Sequence, residues 1–228
     1  MNVNSLKKRV RKLLFLPYSI FFNFHYLPVK QAIRLPVLFA CRPTFLELGG
    51  GIILDISEIR TGMITMGVDI APIEAARIFR WQNAGTIVFK GSCVMSHHTF
   101  ISCGKNARIE IGNKSSFSMG LKIIAVNQIT FGEKTRVSWN CTFMDTDWHA
   151  IVDLISRKTL PMARPIVIGD AVWIGHDCIV SKGCRLPDNS IVASGSVVKG
   201  QFKVSNTIIG GNPATVLDEG FCRDDVLE

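Results

Sequence analysis

The chain has 228 residues, 47% hydrophobic and 19% charged, which excludes a disordered polypeptide and leaves one domain or two small ones. Its net charge of +8 sits at the start: residues 1–42 hold eight Lys and Arg and no acid, and the remainder is balanced. A body without a basic face argues against direct nucleic-acid binding.

Residues 1–44 are predicted as a basic amphipathic helical segment. Over 5–16 (SLKKRVRKLLFL), Leu6, Val10, Leu13 and Leu14 fall on one helical face and cations on the other. The apolar run Leu13–Phe24 is broken by Pro17 and is too short for a spanning helix of about 20 residues. No small-x-small cleavage site follows, as a secretory signal would require. Two compatible readings stay open. The helix caps the end of the body, or it lies on an anionic membrane surface.

From about Phe45 the pattern turns to β, and residues 45–228 are predicted as the second unit. Paired aliphatics spaced by one residue recur as Ile64/Met66, Ile87/Phe89, Ile109/Ile111, Ile129/Phe131 and Ile166/Ile168. If each pair opens a coil, successive intervals are 23, 22, 20 and 37 residues. The long interval predicts an extruded loop near 146–164, a length that in a solenoid is functional or disordered.

The clearest signal follows in Ile168–Lys199. An aliphatic residue returns every six positions: Ile168, Ile174, Val180, Leu186, Val192, Val198. Two residues before each stands a second inward candidate: Ile166, Val172, Cys178, Cys184, Ser190, Ser196. A period of six fits neither a helix nor a flat strand. It fits a chain that turns a corner every six residues and stacks coil on coil, a parallel β-helix of about six to seven coils. After Lys199 the phase fades, and Gly210–Leu217 (GGNPATVL) ends the fold.

The seven cysteines form no CxxC pair. Cys93, Cys141, Cys178 and Cys184 each fall two residues before a hexad aliphatic, which reads them as small buried hydrophobes in a reducing compartment. The loop opens with Asp145, Thr146, Asp147, Trp148 and His149. His149 occupies the next sixth position after Phe131, Val137 and Phe143, so an imidazole replaces the aliphatic where the chain leaves the coil. It could take a proton near neutral pH, with Asp145 or Asp147 as its orienting carboxylate, or it could be a surface histidine. His97 and His98 are adjacent, so at most one faces a given groove, and His176 follows Trp173-Ile-Gly. A zinc site would need convergent histidines, one pair spaced HxxxxH, and no such pair occurs.

NCTFMDTDWHAI, a loop, then RPIVIGDAVWIG, SGSVV and GNPA stand in an order that resembles the hexapeptide-repeat O-acetyltransferases, including the galactoside, maltose and polysaccharide-cluster enzymes. The resemblance covers about residues 85–217. It implies a left-handed β-helix, a homotrimer and acetyl-CoA as acyl donor, with no metal. It makes His149 the general base that frees an acceptor hydroxyl to attack the thioester. Asn140 and Trp148 are the candidate acceptor contacts. Trp173, Gly175, Ala193, Ser194 and Gly195 match cofactor-lining positions. Lys199 and Lys203 are the candidates for the nucleotide phosphates, although this chain reads VVKGQ and carries Thr215 where relatives have a cation. The expectation is a cytoplasmic O-acetyltransferase of a surface-polysaccharide sugar, working at the inner face of the membrane if its acceptor is lipid-linked. An N-acetyltransferase of an amino sugar or nucleotide-sugar is the nearer rival, and a non-catalytic β-helix interaction module the other.

Overall fold

A computed structural model describes residues 13–70 and 77–226. Residues 5–12, where most of the amphipathic pattern falls, lie outside the described residues. Three sheets of nine, seven and six strands wind as a left-handed parallel β-helix. Each coil visits the three faces in turn, as in Cys93–Ser96, Thr99–Cys103 and Arg108–Ile111. The first strand is Val37–Phe39, so the β-helix begins before the predicted boundary at residue 45.

The six-residue period is explained by the stacking. On the first face Phe39, Met66, Met95, Phe117, Val137, Ile174, Val192 and Ile209 lie in register. On the third face Leu54, Phe89, Ile111, Phe131, Ile168 and Leu186 do the same. All of these side chains are buried, as are the second inward residues from Ile166 to Ser196. Cys178, Cys184, Ser190 and Ser196 sit next to corners, where only small groups fit; Ser190 and Ser196 donate their hydroxyls to Pro187 O and Ala193 O. One pairing differs from the sequence expectation. Ile64/Met66 stacks on the first face, and the pair preceding Ile87/Phe89 on its own face is Ile52/Leu54.

The open N-terminal end is closed by helix α1 (Leu16–Tyr26), followed by the short helix α2 (Val29–Ala32). The capping reading of this segment is therefore realised by Leu16–Tyr26. The edge of Val37–Phe39 would otherwise expose unpaired amides. Asn23 Nδ2 donates to Val37 O at 2.7 Å, Val37 N donates to Asn23 Oδ1 at 3.1 Å, and Phe39 N donates to Ser19 Oγ at 3.0 Å. Phe22 packs edge-on against Phe39 and Trp81 beneath them. Asn23→Ala leaves a buried N–H and C=O unpaired, each costing about 1–3 kcal/mol. With about 2–6 kcal/mol lost, the expected result is a Tm lowered by roughly 4–24 °C in thermal denaturation, at about 2–4 °C per kcal/mol for a chain of this size. An unchanged Tm would show that the cap contributes nothing. The C-terminal end closes differently: Ala214–Glu219 folds back antiparallel on Thr207–Gly211.

Candidate functional site

The loop leaves the solenoid after Thr142–Met144 and returns at Ile166–Ile168. Its neck is tied by a bridge between Thr146 and Ala163, and Asp147 N donates to Met162 O at 2.9 Å. Beyond the neck, Ile151–Val152 and Thr159–Leu160 form an exposed antiparallel hairpin. His149 stands between neck and hairpin, exposed to solvent. It is not in the hexad slot that counting predicted, because Ile168 fills the third-face position between Phe131 and Leu186. The imidazole is thus displaced outward by the extrusion. Trp148 beside it is exposed and held at φ 62°, its N–H donating to Thr146 Oγ1.

Neither aspartate is hydrogen-bonded to this ring. Asp145 is fully buried, and its two oxygens accept from Val126 N at 2.8 Å and Asn127 N at 2.9 Å. It plugs the corner where the chain departs, replacing carbonyls that a continuing coil would supply. Burial pushes its carboxyl above the usual range, partly offset by the amide donors. Asp147 pairs with Lys182, whose ammonium also donates to Pro161 O at 2.7 Å. That lysine went unrecognised in the sequence, because nothing in the hexad pattern links one coil's outward lysine to a distant loop.

A second cluster lies at the corner between the first and second faces. Gly120, Asn140, Asp177 and Gly195 stack there with φ between 58° and 74°. Asn140 donates its N–H to Met119 O, as a turn asparagine does, and also helps hold the Asp177 carboxyl below its usual range, behind the larger effect of His176. His176 Nδ1 lies 2.6 Å from Asp177 Oδ2, and its ring stacks on Trp139 at 4.7 Å between centroids. Below His176 the column drops to Ser194 and Gly195, both exposed, with Ala193 half-buried. Gly175 is explained by packing: a Cβ there would come within 2.7 Å of Ser194 N. Trp173 lies exposed on the outer first face, its Nε1 donating to Ser138 Oγ at 3.3 Å. Of the adjacent pair, His97 is buried beside Asp69 at 3.1 Å, and His98 is exposed.

Lys199 is exposed, and Lys203 lines an open groove of about 460 Å³ with Arg185, Asp188 and Gln201. A neighbouring groove shares Arg185 and Gln201 and adds Arg164 and Lys182. A cationic trough therefore runs from the neck of the loop to the C-terminal coil. Among the described residues, no group of three or more His, Cys, Asp or Glu is placed to hold a metal ion.

The candidate residues thus divide between two edges of the second face. Asn140, Gly175, Ala193, Ser194 and Gly195 lie at one, with Trp173 beyond it; His149, Asp147 and Lys199 lie at the other. A strand of four residues such as Lys122–Ala125 spans about 13 Å. The coil positions of the two groups are therefore set apart by the width of that face.

Comparison with known proteins agrees with this architecture. The bacterial transferase hexapeptide family (six repeats) matches residues 165–200. Galactoside O-acetyltransferase of Escherichia coli K12 is 29% identical over 125 residues, covering 55% of this chain and 60% of that protein. An uncharacterized 24.8 kDa protein in the cps region of Klebsiella pneumoniae is 33% identical over 135 residues, covering 56% and 59%. The chain therefore spans less than two thirds of the length of these relatives. The crystal structure of NeuO, a polySia-specific acetyltransferase, superposes with a TM-score of 0.53 at 18% identity, covering 82% of this chain and 78% of the other. Repeat, coil geometry and relatives converge: this chain is a β-helix protein that carries hexapeptide repeats over residues 165–200 and is similar in sequence to O-acetyltransferases.

Proposed function

We propose that the protein transfers an acetyl group from acetyl-CoA to a hydroxyl of a sugar, with His149 as general base. The observation that carries this reading is the placement of His149. The motif Asp-Thr-Asp-Trp-His sits at the root of a hairpin extruded from the coil, where the imidazole is solvent-accessible, and Asp147 of the same motif pairs with Lys182, which lines the cationic trough. A sugar hydroxyl is a weak nucleophile until its proton is taken, and a positioned base contributes about 10²–10⁴ in rate. A backbone N–H at a coil corner would stabilise the tetrahedral oxyanion, at about 10²–10³ per donor.

The division of the candidates between two edges favours a site shared by neighbouring subunits. A threefold assembly sets the His149 edge of one copy against the Trp173–Gly195 edge of the next, with the pantetheine arm lying between them. Lys199, Lys203, Arg185 and Arg164 then supply charge for the nucleotide phosphates. Trp148 and Asn140 are the acceptor contacts in this arrangement. The names of the relatives favour a saccharide acceptor. The cps-region relative favours a surface polysaccharide.

The test is thiol release from acetyl-CoA by the full chain with a panel of hydroxyl-only and amine-bearing sugars. Turnover with hydroxyl acceptors is expected. Turnover confined to amines would convert the reading to N-acetylation, and failure to bind acetyl-CoA would favour a non-catalytic module. Sedimentation equilibrium is expected to give a trimer.

A further inference from the structure

A helix that caps a β-helix needs one apolar face. Helix α1 meets that need with Ser19, Phe22 and Asn23, which are buried against Val37–Phe39. Its opposite face is apolar as well. Ile20 and Phe24 are four residues apart, the spacing of a single helical stripe. Both are exposed, as is Phe21 at the stripe's margin. Helix α2, which follows directly, and the residue after it add Val29 and Ile33, which are 67% and 69% exposed. Phe21 packs partly against Phe45 and His25, but packing in the monomer does not cover Ile20, Phe24, Val29 or Ile33, and a patch of this kind marks an interaction surface.

The segment that carries this face has charge of one sign. The first 42 residues hold eight cations and no acid, and Lys30, Arg34 and Arg42 are exposed among the described residues. A second copy seated on this face would set two such cationic segments against each other, and like charges oppose that contact. An anionic lipid surface satisfies both properties, since apolar side chains enter the acyl boundary while cations pair with headgroups. Among the described residues no helix is long and apolar enough to cross a membrane.

We infer that the outward face of α1 and the exposed residues Val29 and Ile33 dock this protein on an anionic lipid bilayer, so that the helix caps the solenoid on one side and lies on the headgroups on the other. This inference stands independently of the acetyl-transfer reading.

The experiment is co-sedimentation of the full chain with phosphatidylcholine vesicles, with and without about a third phosphatidylglycerol, at low and physiological salt. Anionic vesicles are expected to bind at least tenfold more tightly, with affinity falling as salt rises. Ile20→Ser combined with Phe24→Ser, and separately Lys30→Glu combined with Arg34→Glu, are each expected to weaken binding at least tenfold with Tm unchanged. Wild-type chain that stays in the supernatant with both vesicle types overturns the inference. So does binding that survives both pairs of substitutions. A self-associated state dissolved by Ile20→Ser/Phe24→Ser would instead assign the face to a second copy.

Discussion

His149→Ala is expected to reduce acetyl-transfer turnover by about 10²–10⁴, equivalent to roughly 2.7–5.5 kcal/mol of activation free energy. The imidazole is exposed at the root of the hairpin and fills no core position, so its removal should leave stability within about 0.5 kcal/mol. Acetyl-CoA affinity should also be retained, because the ring acts on the acceptor. The discriminating pattern is therefore a collapsed kcat with unchanged Tm and unchanged acetyl-CoA binding. Equal turnover in the variant would remove His149 from the chemistry. Attention would then pass to His176, whose ring is held by Asp177 and stacked on Trp139.

Asp145→Ala is expected to be the most destabilising single change in the loop region. The carboxylate accepts two backbone amides, Val126 N and Asn127 N, at a corner closed to water. Alanine leaves both without an acceptor, at about 1–3 kcal/mol each, and loosens the neck that holds His149. A loss of roughly 3–5 kcal/mol corresponds to a Tm lowered by about 6–20 °C. Activity should fall with it, but through misplacement of the hairpin. Asp145→Asn keeps one acceptor oxygen and should lie between the two. The pH dependence has a definite sign. Burial raises this carboxyl above its ordinary value, so its protonation favours the folded chain. The linked stability is full below the ordinary aspartate pKa and is lost as pH rises through the raised one. Compared with Asp145→Asn, the wild type should therefore lose ground as pH increases across that window. A variant as stable as wild type at all pH values would show that the corner finds water or another acceptor.

The neck also explains why the motif reads as it does. Of its two aspartates, the first is spent on backbone amides and the second on Lys182, so both position the loop. In this geometry the carboxylate expected to orient His149 is bonded elsewhere in both cases. The imidazole has no hydrogen-bond or ion-pair partner among the described residues. An acceptor bound between subunits would be the first group to fix it.

The solenoid is legible in the residue pattern, because interior packing of a β-helix is local and periodic. Every sixth side chain must point inward whatever lies above or below it. Ile168, Ile174, Val180, Leu186, Val192 and Val198 announce their burial without any long-range information. The small residues at corners and the extruded loop near 146–164 were legible for the same reason. Which coils lie side by side, and what closes their open edges, emerges only in the folded chain. The stacking of Ile52/Leu54 under Ile87/Phe89, the amide clamp of Asp145 and the Asp147–Lys182 pair all join residues that share no period. The same holds for Ser19 and Asn23, polar residues inside an apolar run. They become intelligible only when the unpaired edge of Val37–Phe39 is placed against them, since a backbone amide chooses its partner by position in space.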